Sequence, residues 1–314
     1  MSRIHEALKK AEQERAAQKP SEEAQSSDIM ASSSSVGTLG GAAAAVAMDV
    51  MADPVLMSPA RPVSSGILRF DDLKARCPKV QWRLDPNQNV FLDSDPATHG
   101  AEQFRTLRSR LYQLRGSQPL RSILVTSSIP GEGKTFIVNN LAQAIVRQPD
   151  RRALIIDADL RRPRVHLMLG ASAAPGLTEY LRGEADELSI IQCGQDSNLC
   201  LIPGGNEVTN PSELLSNGRL KELLDRVTPV FDWVILDSPP AVPVADSSLI
   251  ADMCDGILLV VRAGSTPADI AQKAAQELQG RNIVGVVLNA TEKAQLYETY
   301  YYESYGYEPS PTGA

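Results

Sequence analysis

"SILVTSSIPGEGKTFIVNNLAQAIV", Ser122 to Val146, is the stretch that decides the fold. Its opening, Ser122 to Ser127, is an apolar, β-branched run of the kind that a strand buried on both faces requires, and a helical pattern begins near Lys134. Between the two, Gly131, Gly133, Lys134 and Thr135 give the end of the phosphate-loop pattern G-x-x-x-x-G-K-[ST], with Ser128 where the first glycine would stand. The chemistry survives that change. Backbone amides from Gly131 to Thr135 can wrap phosphates at a helix N-terminus, Lys134 can reach the β and γ oxygens, and the Thr135 hydroxyl can bind Mg²⁺. The nucleotide-binding stretch is therefore Ser128, Pro130, Gly131, Glu132, Gly133, Lys134, Thr135 and Phe136.

Two further strands end in carboxylates. In "ALIIDADLRRP", Ala153 to Pro163, Asp157 closes an apolar run and Asp159 follows two residues later, so on extended backbone both point the same way. They can hold Mg²⁺ through water and accept a proton from an incoming hydroxyl. In "DWVILDSPPAVPVADS", Asp232 to Ser247, three apolar residues precede Asp237 and two prolines stiffen the turn, which places a carboxylate beside metal held by a phosphate loop. The predicted metal set is thus Thr135, Asp157 and Asp237, and the predicted catalytic set is Lys134 with Asp157 and Asp159, either of which can be the base. Together these elements indicate a nucleoside triphosphate with Mg²⁺.

Around them, helices are expected from about Gly100 to Leu114, from Ser212 to Val227 and from Pro267 to Gln279. Strands are expected at "LCLIPG" from Leu199, "GILLVV" from Gly256 and "NIVGVVLN" from Asn282. Short apolar runs alternating with helical patterns specify an α/β fold, a mostly parallel β-sheet with helices on both faces and ligands at one sheet edge. The expected organisation is an N-terminal helix over 2–18, a Ser/Ala/Pro/Gly-rich disordered linker over 19–66, an irregular lead-in over 67–98, the P-loop domain over 99–290 and a tail over 291–314.

Composition excludes several classes. A net charge of −7 over 314 residues argues against a general nucleic-acid binder and leaves room only for a local basic patch. Cys77, Cys193, Cys200 and Cys254 form no CxxC pair, so reduced thiols are expected rather than a disulfide framework or zinc site. The charged start "MSRIHEALKKAEQER" lacks the apolar stretch of a secretory signal. "GGAAAAVAMDVM", Gly40 to Met51, falls short of the about 20 apolar residues that span a bilayer, so no membrane span is expected.

In order and spacing, "SSIPGEGKT", "LIIDADLRRP" and "VILDSPP" resemble the Walker A, A′ and B motifs of the bacterial tyrosine kinases, exopolysaccharide-associated autokinases on a P-loop NTPase fold. The resemblance runs from about Asp93 to the C-terminus, and "MSRIHEALKKAEQER" is similar to the leader of the exosortase-linked branch. It implies an ATP-dependent protein-tyrosine kinase acting on its own C-terminal cluster, here Tyr297, Tyr300, Tyr301, Tyr302, Tyr305 and Tyr307. It also implies a subunit interface of a ring at the E-x-x-R-x-x-R of Glu102, Arg105 and Arg108, where a helix aligns the three side chains.

Related ATPases use a strand-end Asn on adenine, which assigns that role to Asn289, and Asp246 resembles a family position near the active site. The resemblance further implies an activating membrane polysaccharide co-polymerase as partner and a cytoplasmic location peripheral to the inner membrane through it. The rival reading is a partition or site-placement ATPase that dimerises with nucleotide; that group carries a signature lysine where this chain has Ile129. A third reading is a nucleotide-binding regulator without catalysis.

Overall fold

In the computed structural model, residues 68–92, 99–194 and 198–291 are described, all within one compact unit, Pro59–Ala314. The expected N-terminal helix, the linker and the tyrosine cluster lie outside the described residues. The elements run α1 (Phe70–Arg76), β1 (Lys79–Val80), a 3₁₀ turn (Pro86–Gln88), α2 (His99–Arg115), β2 (Ser122–Ser127), α3 (Lys134–Val146) and β3 (Ala153–Asp157). They continue with α4 (Val165–Leu169), α5 (Leu177–Leu181), α6 (Glu187–Ile190), β4 (Gln192–Gly194), β5 (Leu199–Ile202), α7 (Pro211–Leu215) and α8 (Arg219–Val227). β6 (Trp233–Asp237), α9 (Asp246–Ala251), β7 (Gly256–Arg262), α10 (Ala268–Glu277) and β8 (Ile283–Asn289) complete the described chain.

The strands form one sheet in the order β1-β4-β5-β3-β6-β2-β7-β8, parallel throughout except for β4 against β5. Every residue of β2, β3 and β6 is buried, because helices cover both faces. The period-two alternation divides their side chains between two cores. Ile123, Val125, Ile155, Trp233 and Ile235 meet Ile137, Leu141 and Ile145 of α3 together with Phe104 and Leu111 of α2. Leu124, Leu154, Ile156, Val234 and Leu236 meet Leu220, Leu223 and Leu224 of α8. This is the α/β architecture expected from the sequence.

Three local expectations are corrected. The helix expected over Ser212 to Val227 is two helices, because Gly218 takes the left-handed region at φ 87° and caps α8. The lead-in carries one helix among its irregular stretches: Phe70 and Leu73 of α1 enter the core, with Phe70 edge-on to Phe231 at 5.6 Å. The lead-in is tied down by two buried asparagines of α3. Asn140 accepts from the Val90 N–H at 2.9 Å and donates to the Gln88 carbonyl at 3.0 Å, and Asn139 donates to the same carbonyl at 3.1 Å. Nor are all four thiols reduced, since Cys193 and Cys200 are disulfide-bonded across the antiparallel β4–β5 pair, leaving Cys77 and Cys254 free.

Candidate active site

The parallel register sets the site. Asp157 at the end of β3 lies level with Asp237 at the end of β6, and Asp237 lies level with Val125 of β2, whose strand runs on into the phosphate loop. Neighbouring strands lie about 4.8 Å apart, so two carboxylates and the loop converge on one sheet edge. Gly131 and Gly133 take φ of 86° and 93°, and Gly133 caps α3, the helix that opens with Lys134. The loop amides therefore gather at the positive end of a 13-residue helix.

Loop side chains divide into those facing the site and those bracing it. Lys134 is 8% exposed. The Thr135 hydroxyl donates to Asp237 Oδ2 at 2.6 Å. Ser128, standing where the motif has its first glycine, is fully buried, and its carbonyl accepts from the Val242 N–H at 3.4 Å. Glu132 turns inward: its carboxylate accepts from the N–H groups of Ile129 (2.8 Å) and Arg262 (3.3 Å) and from the Thr266 hydroxyl. Only its backbone then remains for phosphate. Phe136 packs edge-on against Phe104 of α2 at 5.8 Å, a core contact.

Asn289, at the end of β8, donates Nδ2 to the Glu132 carbonyl at 2.8 Å and accepts from the Ala290 N–H at 2.9 Å. Its amide thus holds the loop from behind. Arg262 does the same, donating Nη1 to the Gly131 carbonyl at 3.2 Å. The bracing roles of Glu132, Arg262 and Thr266 were invisible in the motif, which treats the residue between its glycines as a spacer and does not mention β7.

The carboxylates are strongly perturbed. Asp157 and Asp237 are both fully buried. Burial raises the Asp157 carboxyl well above its ordinary value, the Asp237 charge adds to this, and the amides of Val165 (3.0 Å) and Arg164 (2.9 Å) oppose it. Burial likewise pushes Asp237 up to about 7, against the pull of Lys134 and the Thr135 hydroxyl. Asp159 is raised by burial and lowered in turn by Lys134, so it lies within the field of the loop lysine.

Asp157 Oδ1 and Asp237 Oδ1 are buried with no hydrogen-bond partner among the described residues. Two orphaned carboxylate oxygens beside a threonine hydroxyl are a hard-oxygen donor set that fits Mg²⁺, which takes one or two carboxylates and completes its shell with phosphate oxygens and water. Among the described residues there is no cluster of three acidic, His or Cys ligands.

These shifts set a pH dependence. A carboxyl whose folded value lies above its unfolded value of about 4 contributes stability that is present below that value and lost as pH rises through the folded one. For Asp237, whose folded value is pushed up to about 7, stability therefore falls as pH is raised from 6 to 8. The metal- and nucleotide-free protein is accordingly expected to melt lower at pH 8 than at pH 6, and Mg²⁺ with ADP to narrow the gap. A melting temperature that climbs over this range without ligand contradicts the assignment.

Of the E-x-x-R-x-x-R residues, Glu102 and Arg105 pair with each other on α2, their side chains 56% and 32% exposed. Arg108 instead donates to the Ala144 carbonyl of α3 at 2.7 Å. Asp246, whose role the sequence left unread, is buried at the start of α9 and binds Arg161 from the loop after β3 through both carboxylate oxygens, at 2.7 and 3.1 Å. No described helix is long and apolar enough to cross a membrane.

No family model matches the chain. The tyrosine-protein kinase YwqD of Bacillus subtilis (strain 168) is 32% identical over 217 residues, covering 68% of this chain and 91% of that protein. The succinoglycan biosynthesis transport protein ExoP of Rhizobium meliloti (strain 1021) is 32% identical over 212 residues, 66% of this chain but only 27% of ExoP. Among solved structures, the kinase domain of the Escherichia coli tyrosine kinase ETK superposes with a TM-score of 0.62 at 32% identity, over 69% of this chain and 85% of that one. With a tyrosine kinase matched over nearly its whole length and a phosphate loop facing paired strand-end carboxylates, this chain belongs to the bacterial tyrosine kinase family.

Proposed function

We propose that the protein is an ATP-dependent protein-tyrosine autokinase that phosphorylates the C-terminal cluster Tyr297, Tyr300, Tyr301, Tyr302, Tyr305 and Tyr307 of a neighbouring copy within a ring, and that it serves exopolysaccharide synthesis or export. The observation that carries this reading is the convergence of Lys134, Thr135, Asp157 and Asp237 on one sheet edge, in a chain that places six of its eight tyrosines between Tyr297 and Tyr307. The exopolysaccharide role draws on the name of ExoP.

In the proposed reaction, ATP binds with its phosphates on the amides of Gly131 to Thr135. Thr135, Asp157 and Asp237 would hold Mg²⁺, which supplies neutralisation of phosphate charge. A tyrosine oxygen attacks the γ-phosphorus, the bond to the ADP oxygen breaks, and the phenolic proton passes to Asp157 or Asp159. Lys134 stabilises charge on the transferring group. Positioning and electrostatics carry such a transfer, because a loose transition state asks little covalent chemistry of the protein. Burial raises both Asp157 and Asp159, which makes each ionised carboxylate a stronger proton acceptor than an exposed one.

Glu102, Arg105 and Arg108 are the proposed ring interface; Glu102 and Arg105 pair with each other, and Arg108 also donates to the Ala144 carbonyl of α3. A membrane polysaccharide co-polymerase is the proposed activating partner, which would keep the protein at the cytoplasmic side of the inner membrane. The test is incubation of the full chain with Mg²⁺ and γ-labelled ATP. Label is expected in protein phosphotyrosine; release of free phosphate alone would point to a nucleotide switch instead.

A further inference from the structure

Arg161, Arg162 and Arg164 follow Asp157 and Asp159 in a single loop, and all three are exposed. The loop folds back on those carboxylates. The Arg162 N–H donates to the Asp159 carbonyl at 3.0 Å and to its Oδ1 at 3.1 Å, and the Arg164 N–H donates to Asp157. Three guanidinium-bearing side chains therefore leave the backbone within a turn of the proposed base.

Arg161 is fixed in place. Its Nε and Nη2 donate to both oxygens of Asp246, Nη2 also reaches Ser212 Oγ at 3.1 Å, and Ser212 donates in turn to Asp246 Oδ1 at 2.5 Å. The Asp246 side chain is 1% exposed while that of Arg161 remains 39% exposed. Three of the five guanidinium N–H groups are thereby used, and those on Nη1 form no hydrogen bond to any described residue. A guanidinium held rigid along one edge and open on the other binds a carboxylate at low entropic cost.

We propose that this arginine rim is the acceptor-recognition surface of the site. It takes an acidic, tyrosine-bearing segment, residues 297–308 of a second copy of the chain, by pairing Arg161 and its neighbours with Glu298, Glu303 and Glu308. That segment carries these three glutamates and no lysine or arginine, so it brings only negative charge to the three guanidinium groups. Arg161 is then a specificity-determining residue: it favours acidic flanks and repels tyrosines set among basic residues. The inference rests on the kinase reading and adds to it which tyrosines are accepted.

The experiment uses native full-length kinase and an isotopically heavy Lys134→Ala full chain as acceptor, with either the native tail or Glu298→Gln, Glu303→Gln and Glu308→Gln together. Replacing the glutamates is expected to raise KM for the acceptor about fivefold to tenfold, the size expected of three exposed ion pairs, with little change in kcat. Added salt is expected to raise KM for the native tail and not for the glutamine tail, a reading that does not depend on any kinase variant folding. An Arg161→Ala kinase is expected to discriminate less between the two acceptors than the native kinase does, Arg162 and Arg164 remaining in the rim. Equal KM for both tails with the native kinase, while phosphate transfer proceeds, overturns this inference alone; no transfer to either tail overturns the kinase reading and this inference with it.

Discussion

Replacing Lys134 by methionine is expected to lower phosphotyrosine formation by about three orders of magnitude while the domain stays folded, the loss typical when a preorganised donor to transferring charge is removed. Methionine keeps the volume of a side chain that is only 8% exposed, so packing is conserved while the charge is lost. The charge does two jobs. It stands at the start of α3 within the phosphate loop, and it holds down both Asp237 and Asp159. Without it, the Asp237 carboxyl climbs further above its value of about 7, so the residual reaction needs a higher pH to ionise the site. A pH–rate profile checks this: the acid limb is expected to move upward in Lys134→Met. An unmoved limb with the same loss would mean that Lys134 contacts phosphate without tuning the carboxylates.

Gly133→Ala is expected to weaken nucleotide binding about a hundredfold, and Gly131→Ala only about tenfold, although both glycines have positive φ. The shared cost is the left-handed backbone, about 1–2 kcal/mol for a residue with a Cβ. The difference lies behind the loop. A Cβ at 133 would fall 2.2 Å from Asn289 Nδ2, whereas one at 131 meets nothing within 4 Å. Making room at 133 breaks the Asn289 bond to the Glu132 carbonyl, which adds about 0.5–1.5 kcal/mol. Strain of this kind lowers the population of the binding-competent loop, and apparent affinity falls in proportion. Titration with a fluorescent ATP analogue measures both variants; equal losses would show that Asn289 does not brace the loop.

The central sheet was legible because its signals are local. Runs such as "ILV", "LII" and "VIL" needed burial on both faces, and the acids closing two of them mark the ligand edge of a parallel sheet. What escaped reading depends on distant partners. Glu132 looks like a spacer until Arg262 and Thr266, more than a hundred residues on, are brought to it. Arg161 finds Asp246 85 residues away, and Asn140 finds Gln88 52 residues back.

Residues 68–92 read as irregular because α1 is too short to show a period, and its order comes from those asparagine bonds and the Phe70 contact. The Cys193–Cys200 pair likewise exists only once β4 turns against β5. Gly218 is the exception: a Ser-Asn-Gly run inside an expected helix was a local stop signal that the helical period masked.

The most direct test of the account is mass spectrometry of the C-terminal tyrosine peptides after incubation of the full chain with Mg²⁺ and ATP, run beside the Lys134→Met protein. Phosphate is expected on tyrosines between Tyr297 and Tyr307 in the native protein, and to be nearly absent from the variant unless native protein is added. A native tail that stays unmodified while ATP is consumed, or a Lys134→Met protein that labels its own tail at the native rate, would contradict it.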